Sequence, residues 1–329
     1  MPSHCNQIWL NGEIVPWDQG QTHVMSHTLH YGTGVFEGIK CYITDHGPAI
    51  FRLQDHIKRL FQSADIYEME TPYDIDAIIQ GCIELVRVTK IENGYIRPII
   101  YFGYDGLGIH PKNCPVNIAI GLFDWGEYLG EGALEKGINV TISPWRKFHS
   151  SSLPTVAKAN GQYLNSVLAA RDAKEKGFDE ALLLNQDGTI AEGAGQNLFI
   201  INNDVLYTNA EESSILMGIT RDTVIQLARQ NGYEVKIAPL SLGQLFTANE
   251  VFFSGTASEI TPICSVDRRK INQGEPGKIT KQLQKGYLNV VHGKIRELYH
   301  YLTFVEERKN CQAMLTLSSL RDQPSAFVP

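Results

Sequence analysis

The sequence predicts an α/β fold of the α+β or barrel-like kind, divided into two domains. Hairpin signals and amphipathic helical patterns follow one another without the steady strand–helix–strand rhythm of a doubly wound sheet. The length of 329 residues suits one large or two medium domains. Periodicity is lost and glycine accumulates at 124–136, so we place a linker there, between domains at 1–123 and 137–304.

The N-terminal domain is expected to open with a hairpin at 8–17, because Asn11-Gly12 suits a turn with positive φ. Apolar residues recur at helical spacing in 53–64 and again in 75–86, which predicts two helices. An aromatic and β-branched strand follows at 94–104. A glycine-rich loop at 105–112 then leads to another strand at 116–123.

The C-terminal domain is expected to begin with a strand at 138–143 and a helix at 162–176 that Gly177 ends. Turns at 187–188 and 203–204 separate further strands. A helix at 220–230, strands at 234–237 and 250–253, and a long helix from 279 to about 301 complete the domain. The tail at 305–329 is polar and contains proline, which predicts loose structure.

Charge and composition argue against several classes of partner. The formal net charge is −7 and basic residues form no long run, so neither nucleic acid nor an anionic membrane is an expected partner. The first eleven residues lack the pattern of a signal peptide, and no run of eighteen apolar residues occurs. Six scattered cysteines without a C-x-x-C pair suggest reduced thiols. Together these features predict a cytoplasmic protein.

Three features of the second half carry the chemistry of a possible enzyme. The Lys158 amine is a nucleophile that could condense with an aldehyde cofactor, although an isolated lysine is more often a solvated surface residue. Glu192 offers a carboxylate, or it is an exposed turn residue beside Gly193 and Gly195. Gly218, Ile219 and Thr220 precede a helical pattern and so predict an anion site, although Thr220 could serve only as an N-cap.

Two further patterns, a set of three histidines and a group of glycines, resemble binding motifs but do not indicate a binding site. His23, His27 and His30 have metal-like spacing, but no cysteine or carboxylate pattern nearby completes a site. We therefore expect hydrogen-bonded histidines and no metal. The glycines at 32–38 miss the dinucleotide-binding fingerprint by one residue and precede no clear helix.

Six motifs together resemble those of the class IV pyridoxal-phosphate enzymes, and most closely the branched-chain-amino-acid aminotransferases. They are YGTGVFEG at 31–38, YIRP at 95–98, AKANGQY at 157–163, EGAGQNLF at 192–199, GITR at 218–221 and SGTASEI at 254–260. The resemblance covers residues 5–300. It implies a fold-type IV enzyme, with a small α/β N-terminal domain and a larger pseudo-barrel C-terminal domain.

The resemblance also implies roles in holding pyridoxal 5'-phosphate. Lys158 would carry the cofactor as a Schiff base, Glu192 would pair with the pyridine nitrogen, and Tyr163 would bind the phenolic oxygen. The phosphate and the rest of the cofactor would contact Arg59, Leu216, Gly218, Ile219, Thr220 and Thr256. From the residues alone Arg59 could be a surface arginine, because it falls off the apolar stripe of its helix.

The implied substrate contacts fall into three groups. Tyr95 and the backbone at Thr256 and Ala257 would hold the α-carboxylate, while Arg97 would meet the distal carboxylate of glutamate. The implied walls for a branched side chain and the residues beside them are Phe36, Gly38, Trp125, Tyr128 and Tyr163. Tyr31, Leu107 and Ile109 would reach the active site of a neighbouring subunit in a homo-oligomer, and His110 departs from many relatives.

The activity expected from this resemblance is ping-pong transfer of the amino group from L-leucine, L-isoleucine or L-valine to 2-oxoglutarate. A D-amino-acid aminotransferase or an aminodeoxychorismate lyase of the same fold is the alternative, which Tyr95 and Arg97 disfavour. A ligand-binding module without catalysis is the rival from another class. It would be colourless and inert toward leucine.

Overall fold

The computed structural model describes residues 3–124, 129–130 and 132–306. The strands are β1 (Ser3–His4), β2 (Gln7–Leu10), β3 (Glu13–Pro16), β4 (Gly34–Phe36), β5 (Ile39–Thr44), β6 (Gly47–Phe51), β7 (Gly94–Phe102), β8 (Val116–Asp124), β9 (Ile138–Ile142), β10 (Glu180–Leu184), β11 (Ile190–Gly193), β12 (Asn197–Asn202), β13 (Val205–Thr208), β14 (Val235–Ile237), β15 (Glu250–Gly255), β16 (Glu259–Val266), β17 (Arg269–Lys270) and β18 (Leu302–Phe304).

The helices are α1 (His27–Tyr31), α2 (Leu53–Ile66), α3 (Ile75–Thr89), α4 (Ala133–Lys136), α5 (Tyr163–Glu175), α6 (Ile219–Gln230), α7 (Leu242–Phe246) and α8 (Lys278–Val291). Short 3-10 helices lie at Trp17–Gln19, Asn160–Gln162, Glu211–Ser213, Asn272–Gly274 and Arg296–Tyr301. Among the described residues, every helix is too short or too polar to cross a lipid bilayer.

Two large sheets organise the molecule, which confirms the mixed α+β prediction. The first has the order β18-β6-β5-β7-β8-β2-β3, with β1 on β8 and β4 on β7. The second has the order β11-β10-β9-β16-β15-β12-β13-β14, with β17 on β16. It mixes parallel pairs, such as β9 with β10, with antiparallel ones. The domain bounds inferred from the sequence stay a prediction, although β18 pairs with β6 and so brings the chain back to the first sheet.

The first sheet packs against α2 and α3 as their apolar periodicity predicts. The buried face of these helices includes Leu53, Ile57, Leu60, Ile78 and Leu85, all withdrawn from solvent. The predicted opening hairpin is confirmed as β2 and β3. Its turn residues Asn11 and Gly12 both have positive φ, 46° and 96°, as the sequence requires.

One sequence expectation in the second half needs correction. The long helix expected to reach about residue 301 ends at Val291, because Gly293 takes a left-handed φ of 67° and a separate 3-10 turn follows at Arg296–Tyr301. Within the predicted linker at 124–136, Ala133–Lys136 forms the short helix α4. Gly132 and Gly137 flank this helix with φ of 78° and 75°, and they hid it in the sequence pattern.

Candidate active site

A cavity lined by residues of α2, α5, α6, β11 and β15 lies around the segment that carries Lys158. Strand β4 contacts this segment directly, since the Phe36 amide donates to the Lys158 carbonyl at 3.0 Å and Val35 forms a bridge with Ala159. All nine expected cofactor contacts line the cavity, namely Arg59, Lys158, Tyr163, Glu192, Leu216, Gly218, Ile219, Thr220 and Thr256.

Lys158 points into this cavity, so the surface-lysine interpretation is wrong. Its Nζ donates to the Tyr163 hydroxyl at 2.6 Å and lies 5.0 Å from the centroid of the Phe36 ring. Burial lowers the pKa of the Lys158 amine to about 8, against an attraction to Glu37 that raises it. Burial also raises the pKa of Tyr163 to about 12. An appreciable fraction of the amine is therefore unprotonated near neutral pH, as a nucleophile requires.

Glu192 is buried on β11, so it is not an exposed turn residue. Its Oε1 accepts from Lys147 Nζ at 2.6 Å. Its Oε2 accepts from Asn197 Nδ2 and from the Leu216 amide, both at 3.2 Å. A carboxylate has about four acceptor positions, so this arrangement leaves one position open on Oε1. The sequence reasoning missed Lys147, which belongs to no motif, and Asn197, which lies inside the motif at 192–199.

The N-terminus of α6 supplies an anion site. Gly218 is the N-cap and Ile219 begins the helix, so Thr220 is the second helical residue and not the cap. Amides in a first helical turn have no partner within the helix, and they carry the positive end of its dipole. A Cβ at Gly218 would lie 2.0 Å from the Asn197 Oδ1 atom, so only glycine fits there. Because Gly218, Ile219 and Thr220 line the cavity, the unpaired amides at the start of α6 are placed where an anionic group could bind.

Two further polar groups show that the cavity suits a phosphorylated ligand. Arg59 is not a surface arginine, because its side chain is mostly buried and faces the cavity. Its Nη1 donates to the Met217 carbonyl at 2.8 Å, next to the N-cap of α6. Ser254 lines the same cavity, and among the described residues its buried hydroxyl has no hydrogen-bond partner. An orphaned polar atom of this kind indicates a ligand that completes it.

The expected substrate residues of this chain lie beside the Lys158 amine. The Phe36 and Tyr163 rings contact each other with their centroids 4.7 Å apart. The guanidinium of Arg97 lies 4.8 Å from the centroid of Phe36, and its Nη2 donates to the Tyr95 hydroxyl at 3.2 Å. Within the described residues the buried Nε of Arg97 has no hydrogen-bond partner.

Gly38 and the loop residues Thr256 and Ala257 are also expected to belong to the substrate site. A Cβ at Gly38 would lie 1.8 Å from the Tyr95 hydroxyl, so glycine is required where this ring closes on the loop. Thr256 and Ala257 follow directly after β15, and Thr256 lines the cavity. Phe36, Tyr95 and Arg97 thus form a connected group beside Lys158 and Tyr163, although only Tyr163 and Thr256 of the expected substrate residues line the cavity itself.

The remaining expected residues lie elsewhere. Leu107 and Ile109 project from the surface, with Ile109 83% exposed, and the Tyr31 hydroxyl donates to the Leu107 carbonyl at 2.6 Å. None of these three lines the cavity of this chain. Trp125 and Tyr128 lie outside the described residues.

The three histidines with metal-like spacing are hydrogen bonded, as expected from the sequence. His27 is buried and its Nδ1 lies 2.7 Å from the Thr33 hydroxyl, while His30 Nε2 lies 3.1 Å from the Val24 carbonyl. His23 Nδ1 accepts from the Met25 amide at 3.1 Å. The described residues contain no group of three His, Cys, Asp or Glu side chains arranged for a metal ion.

Comparison with known proteins gives matches over nearly the whole chain. The family model described as Amino-transferase class IV matches residues 34–266. The Pseudomonas aeruginosa branched-chain-amino-acid aminotransferase is 44% identical over 299 residues, which cover 91% of this chain and 97% of that protein. The crystal structure of the Escherichia coli branched-chain amino acid aminotransferase has a TM-score of 0.90 at 42% identity, and the match covers 92% of this chain and 100% of that one. The branched-chain aminotransferase of the archaeon Thermoproteus uzoniensis, solved with norvaline, has a TM-score of 0.88 at 36% identity, with 92% and 100% covered.

Proposed function

Because this chain belongs to the Amino-transferase class IV family and is a transaminase, we propose that it transfers the amino group of L-leucine, L-isoleucine or L-valine to 2-oxoglutarate. The products are branched 2-oxo acids and L-glutamate, and the cofactor is pyridoxal 5'-phosphate. The observation that carries this proposal is the buried Lys158–Tyr163 pair in one cavity with Glu192 and the N-terminus of α6. The relatives reported above support this activity and not the D-amino-acid or lyase alternative.

The residues present fit the cofactor. When bound, pyridoxal phosphate supplies an aldehyde that binds amines and a pyridine ring that withdraws electrons from the substrate Cα. Lys158 is the amine that would hold it covalently, and Glu192 is the carboxylate that would keep the ring nitrogen protonated. The α6 amides, Arg59 and Thr256 would bind the phosphate.

Lys158 also serves as the proton carrier at the substrate Cα. With cofactor and substrate bound, the free Lys158 amine would take up the proton from the substrate Cα and deliver it to C4′, the carbon of the cofactor's aldehyde group. The contact with Tyr163, at 2.6 Å, keeps the amine inside the cavity and away from bulk water. The site runs the same steps in reverse with the second substrate, which gives ping-pong kinetics.

One pocket must accept both leucine and glutamate, and the contact between Phe36 and Arg97 offers a physical solution. The Phe36 ring gives an apolar surface for a branched side chain, while the Arg97 guanidinium above it offers donors to a distal carboxylate. Arg97 stacks on the Phe36 ring, so the two groups lie next to each other. A branched side chain can contact the ring, and a distal carboxylate can contact the guanidinium in the same place. Tyr95, held by Arg97, would bind the α-carboxylate common to both substrates.

Replacement of Arg97 by glutamine is expected to change the choice between substrates. Loss of a charge-assisted contact to the distal carboxylate should lower kcat/KM for glutamate by about 10- to 100-fold. The loss for leucine should be several times smaller, because only the support of Tyr95 is affected. Half-reactions measured separately with each amino acid check this, with the exposed Arg87→Gln as control. Equal losses for both substrates would contradict the role given to Arg97.

A panel of amino donors tests the proposed activity itself. Purified protein with added pyridoxal phosphate is expected to form L-glutamate from 2-oxoglutarate with L-leucine, L-isoleucine or L-valine, and to leave D-leucine unconsumed. Chiral analysis of the remaining donor separates these outcomes. Consumption of D-leucine, or the absence of L-glutamate with all three L-donors, would exclude the proposal.

We also propose a homo-oligomer in which subunits complete each other's active sites. Helix α5, which starts at the cofactor contact Tyr163, exposes an apolar surface made of Leu164, Val167 and Leu168. Leu164 is 69% exposed, and large exposed apolar surfaces mark interfaces. The exposed Leu107 and Ile109 would enter the neighbouring subunit, which explains why they lie outside the cavity of their own chain.

A charge placed on this surface is expected to separate the subunits. Leu164→Glu should shift the mass in solution from the oligomer toward the monomer, because a carboxylate cannot be buried in an apolar interface without a partner. Analytical ultracentrifugation measures this. Ile237→Glu, which alters an exposed apolar residue of β14, is the matched control and should leave the mass unchanged. An unchanged mass for both variants would place the interface elsewhere.

We further propose a cytoplasmic location. Cys5, Cys41, Cys82, Cys114 and Cys264 are free thiols, and all but Cys114 are buried. Free thiols are typical of a reducing compartment. The Pseudomonas aeruginosa and Escherichia coli relatives named above come from bacteria, which is consistent with this location.

A further inference from the structure

Glu37 is a fully buried carboxylate to which the proposed chemistry gives no role. It lies between β4 and β5, where its backbone amide donates to the Pro98 carbonyl at 2.9 Å. Its Oε1 accepts from Arg59 Nε at 2.6 Å. Its Oε2 accepts from Arg59 Nη2 at 3.0 Å and from His56 Nδ1 at 2.7 Å, and the Gly38 amide lies 3.2 Å from the same oxygen.

The contacts of Arg59 with the described residues leave it with one defined free edge. A guanidinium has five N–H donors in a fixed plane. Glu37 takes one from Nε and one from Nη2, and the Met217 carbonyl takes one from Nη1. One N–H on each terminal nitrogen remains, and the side chain borders the cavity. This pair of donors matches two oxygens of a phosphate.

We propose that Glu37 is a positioning residue, which holds the Arg59 guanidinium so that its free edge meets the cofactor phosphate, and that His56 fixes Glu37. This inference rests on the proposed function, since it requires a phosphorylated cofactor in the cavity. Four donors reach the carboxylate, one at Oε1 and three at Oε2, so it cannot rotate without losing contacts. Arg59 in turn cannot swing away without leaving a buried charge unpaired.

The charges of Glu37, Arg59 and His56 distinguish a positioning role for Glu37 from a direct electrostatic effect on the phosphate. Burial by itself would raise the pKa of Glu37, but Arg59 and His56 hold that pKa well below its usual range, so the carboxylate stays ionised. Burial lowers the pKa of His56 despite the pull of Glu37, and the ring is therefore a neutral donor near pH 7. Glu37 cancels the charge of Arg59, and it cannot strengthen phosphate binding through its own charge.

Because Glu37 cancels the charge of Arg59, a positioning role and a purely electrostatic role predict opposite changes in cofactor affinity for Glu37→Gln. Glu37→Gln removes a negative charge near the phosphate, which by charge alone would strengthen binding of the anion. If Glu37 instead positions Arg59, the same change weakens binding. We expect the dissociation constant of the cofactor-free enzyme for pyridoxal 5'-phosphate to rise about tenfold or more. The constant for pyridoxal, which lacks the phosphate, should not rise, because Arg59 is expected to bind only the phosphate and the loss of Glu37 removes an attraction that raises the pKa of the Lys158 amine.

Absorbance titrations of cofactor-free wild type, Glu37→Gln and the surface control Glu84→Gln with both ligands decide the matter. Glu84 pairs with Arg87 on the exposed side of α3, so its replacement should change neither constant. A general loss of structure would weaken both ligands equally, and tighter binding of the phosphate ester would show a purely electrostatic effect. Either result in Glu37→Gln overturns the positioning role. Failure of the wild type to bind the phosphate ester at all would instead refute the proposed function.

A second pair of variants keeps the proposal testable if Glu37→Gln does not fold. His56→Asn retains a donor near the position of Nδ1, whereas His56→Leu removes it. We expect a weaker constant for the phosphate ester in His56→Leu, recovery in His56→Asn, and no change for pyridoxal in either. Equal constants for the phosphate ester in the two variants would overturn the role of His56 and the inference with it.

Discussion

Replacing Lys158 by alanine is expected to abolish turnover, with kcat lowered by more than about 10⁴-fold. The variant loses both the amine that would carry the cofactor and the basic group placed beside Tyr163 to move the substrate proton. The methyl group of alanine can perform neither task. The rate with L-leucine and 2-oxoglutarate, recorded together with the cofactor absorbance, measures the effect.

Lys176→Ala is the control for this variant. Lys176 also forms a hydrogen bond through Nζ, but its partner is Asp172 on the exposed end of α5. Its loss should leave both the rate and the absorbance unchanged, since exposed ion pairs contribute little. A rate in Lys158→Ala within about tenfold of the wild type would remove Lys158 from the mechanism, because general acid–base catalysis alone accounts for more.

The second large effect is expected for Glu192→Gln. The amide keeps the shape of the side chain but cannot keep a ring nitrogen protonated, so kcat should fall by about 10²- to 10³-fold. It also leaves the Lys147 ammonium without its counter-charge in a buried site. Affinity for the cofactor should change much less, because the phosphate contacts at α6 and Arg59 remain. The informative quantity is therefore kcat measured at saturating cofactor.

Stopped-flow measurement of the leucine half-reaction isolates this step from product release. Glu175→Gln on the exposed side of α5 is a suitable control, since its ion pair with Arg171 is solvated. A half-reaction as fast in Glu192→Gln as in the control would mean that the carboxylate does not act on the ring nitrogen. Glu192 would then be only the structural partner of Lys147, Asn197 and Leu216.

Local sequence signals were sufficient for much of the fold. The spacing of apolar residues predicted α2 and α3, and Asn11-Gly12 predicted the first hairpin, because these features depend on neighbours in the chain. The end of α8 was missed although Gly293 is a typical terminator, since apolar residues continue in helical spacing beyond it. The return of β18 to the first sheet depends on contacts distant in sequence, which no local pattern reveals.

In the candidate site too, some residues could be identified from the sequence and others could not. The six motifs contain seven of the nine residues expected to contact the cofactor, the family resemblance added Arg59 and Leu216, and all nine line one cavity. The residues that hold them in place were not identified from the sequence. Lys147 lies 45 positions from Glu192, and Glu37 lies 22 positions from Arg59, so each pair forms only when the chain folds. Lys147 belongs to no motif and Glu37 lies inside the motif at 31–38, yet neither residue signals its partner until the tertiary structure is known.

Reduction followed by peptide mapping tests the central claim most directly. Two lysines, Lys147 and Lys158, line the cavity among the described residues, and either amine could in principle reach an aldehyde there. Borohydride treatment of the protein with bound pyridoxal phosphate makes the lysine–cofactor link permanent, and mass spectrometry locates it. We expect the added mass on Lys158 alone, because the amine of Lys147 is held by Glu192. The added mass on Lys147, or its absence from both lysines, would contradict the assignment of Lys158 as the cofactor-binding residue.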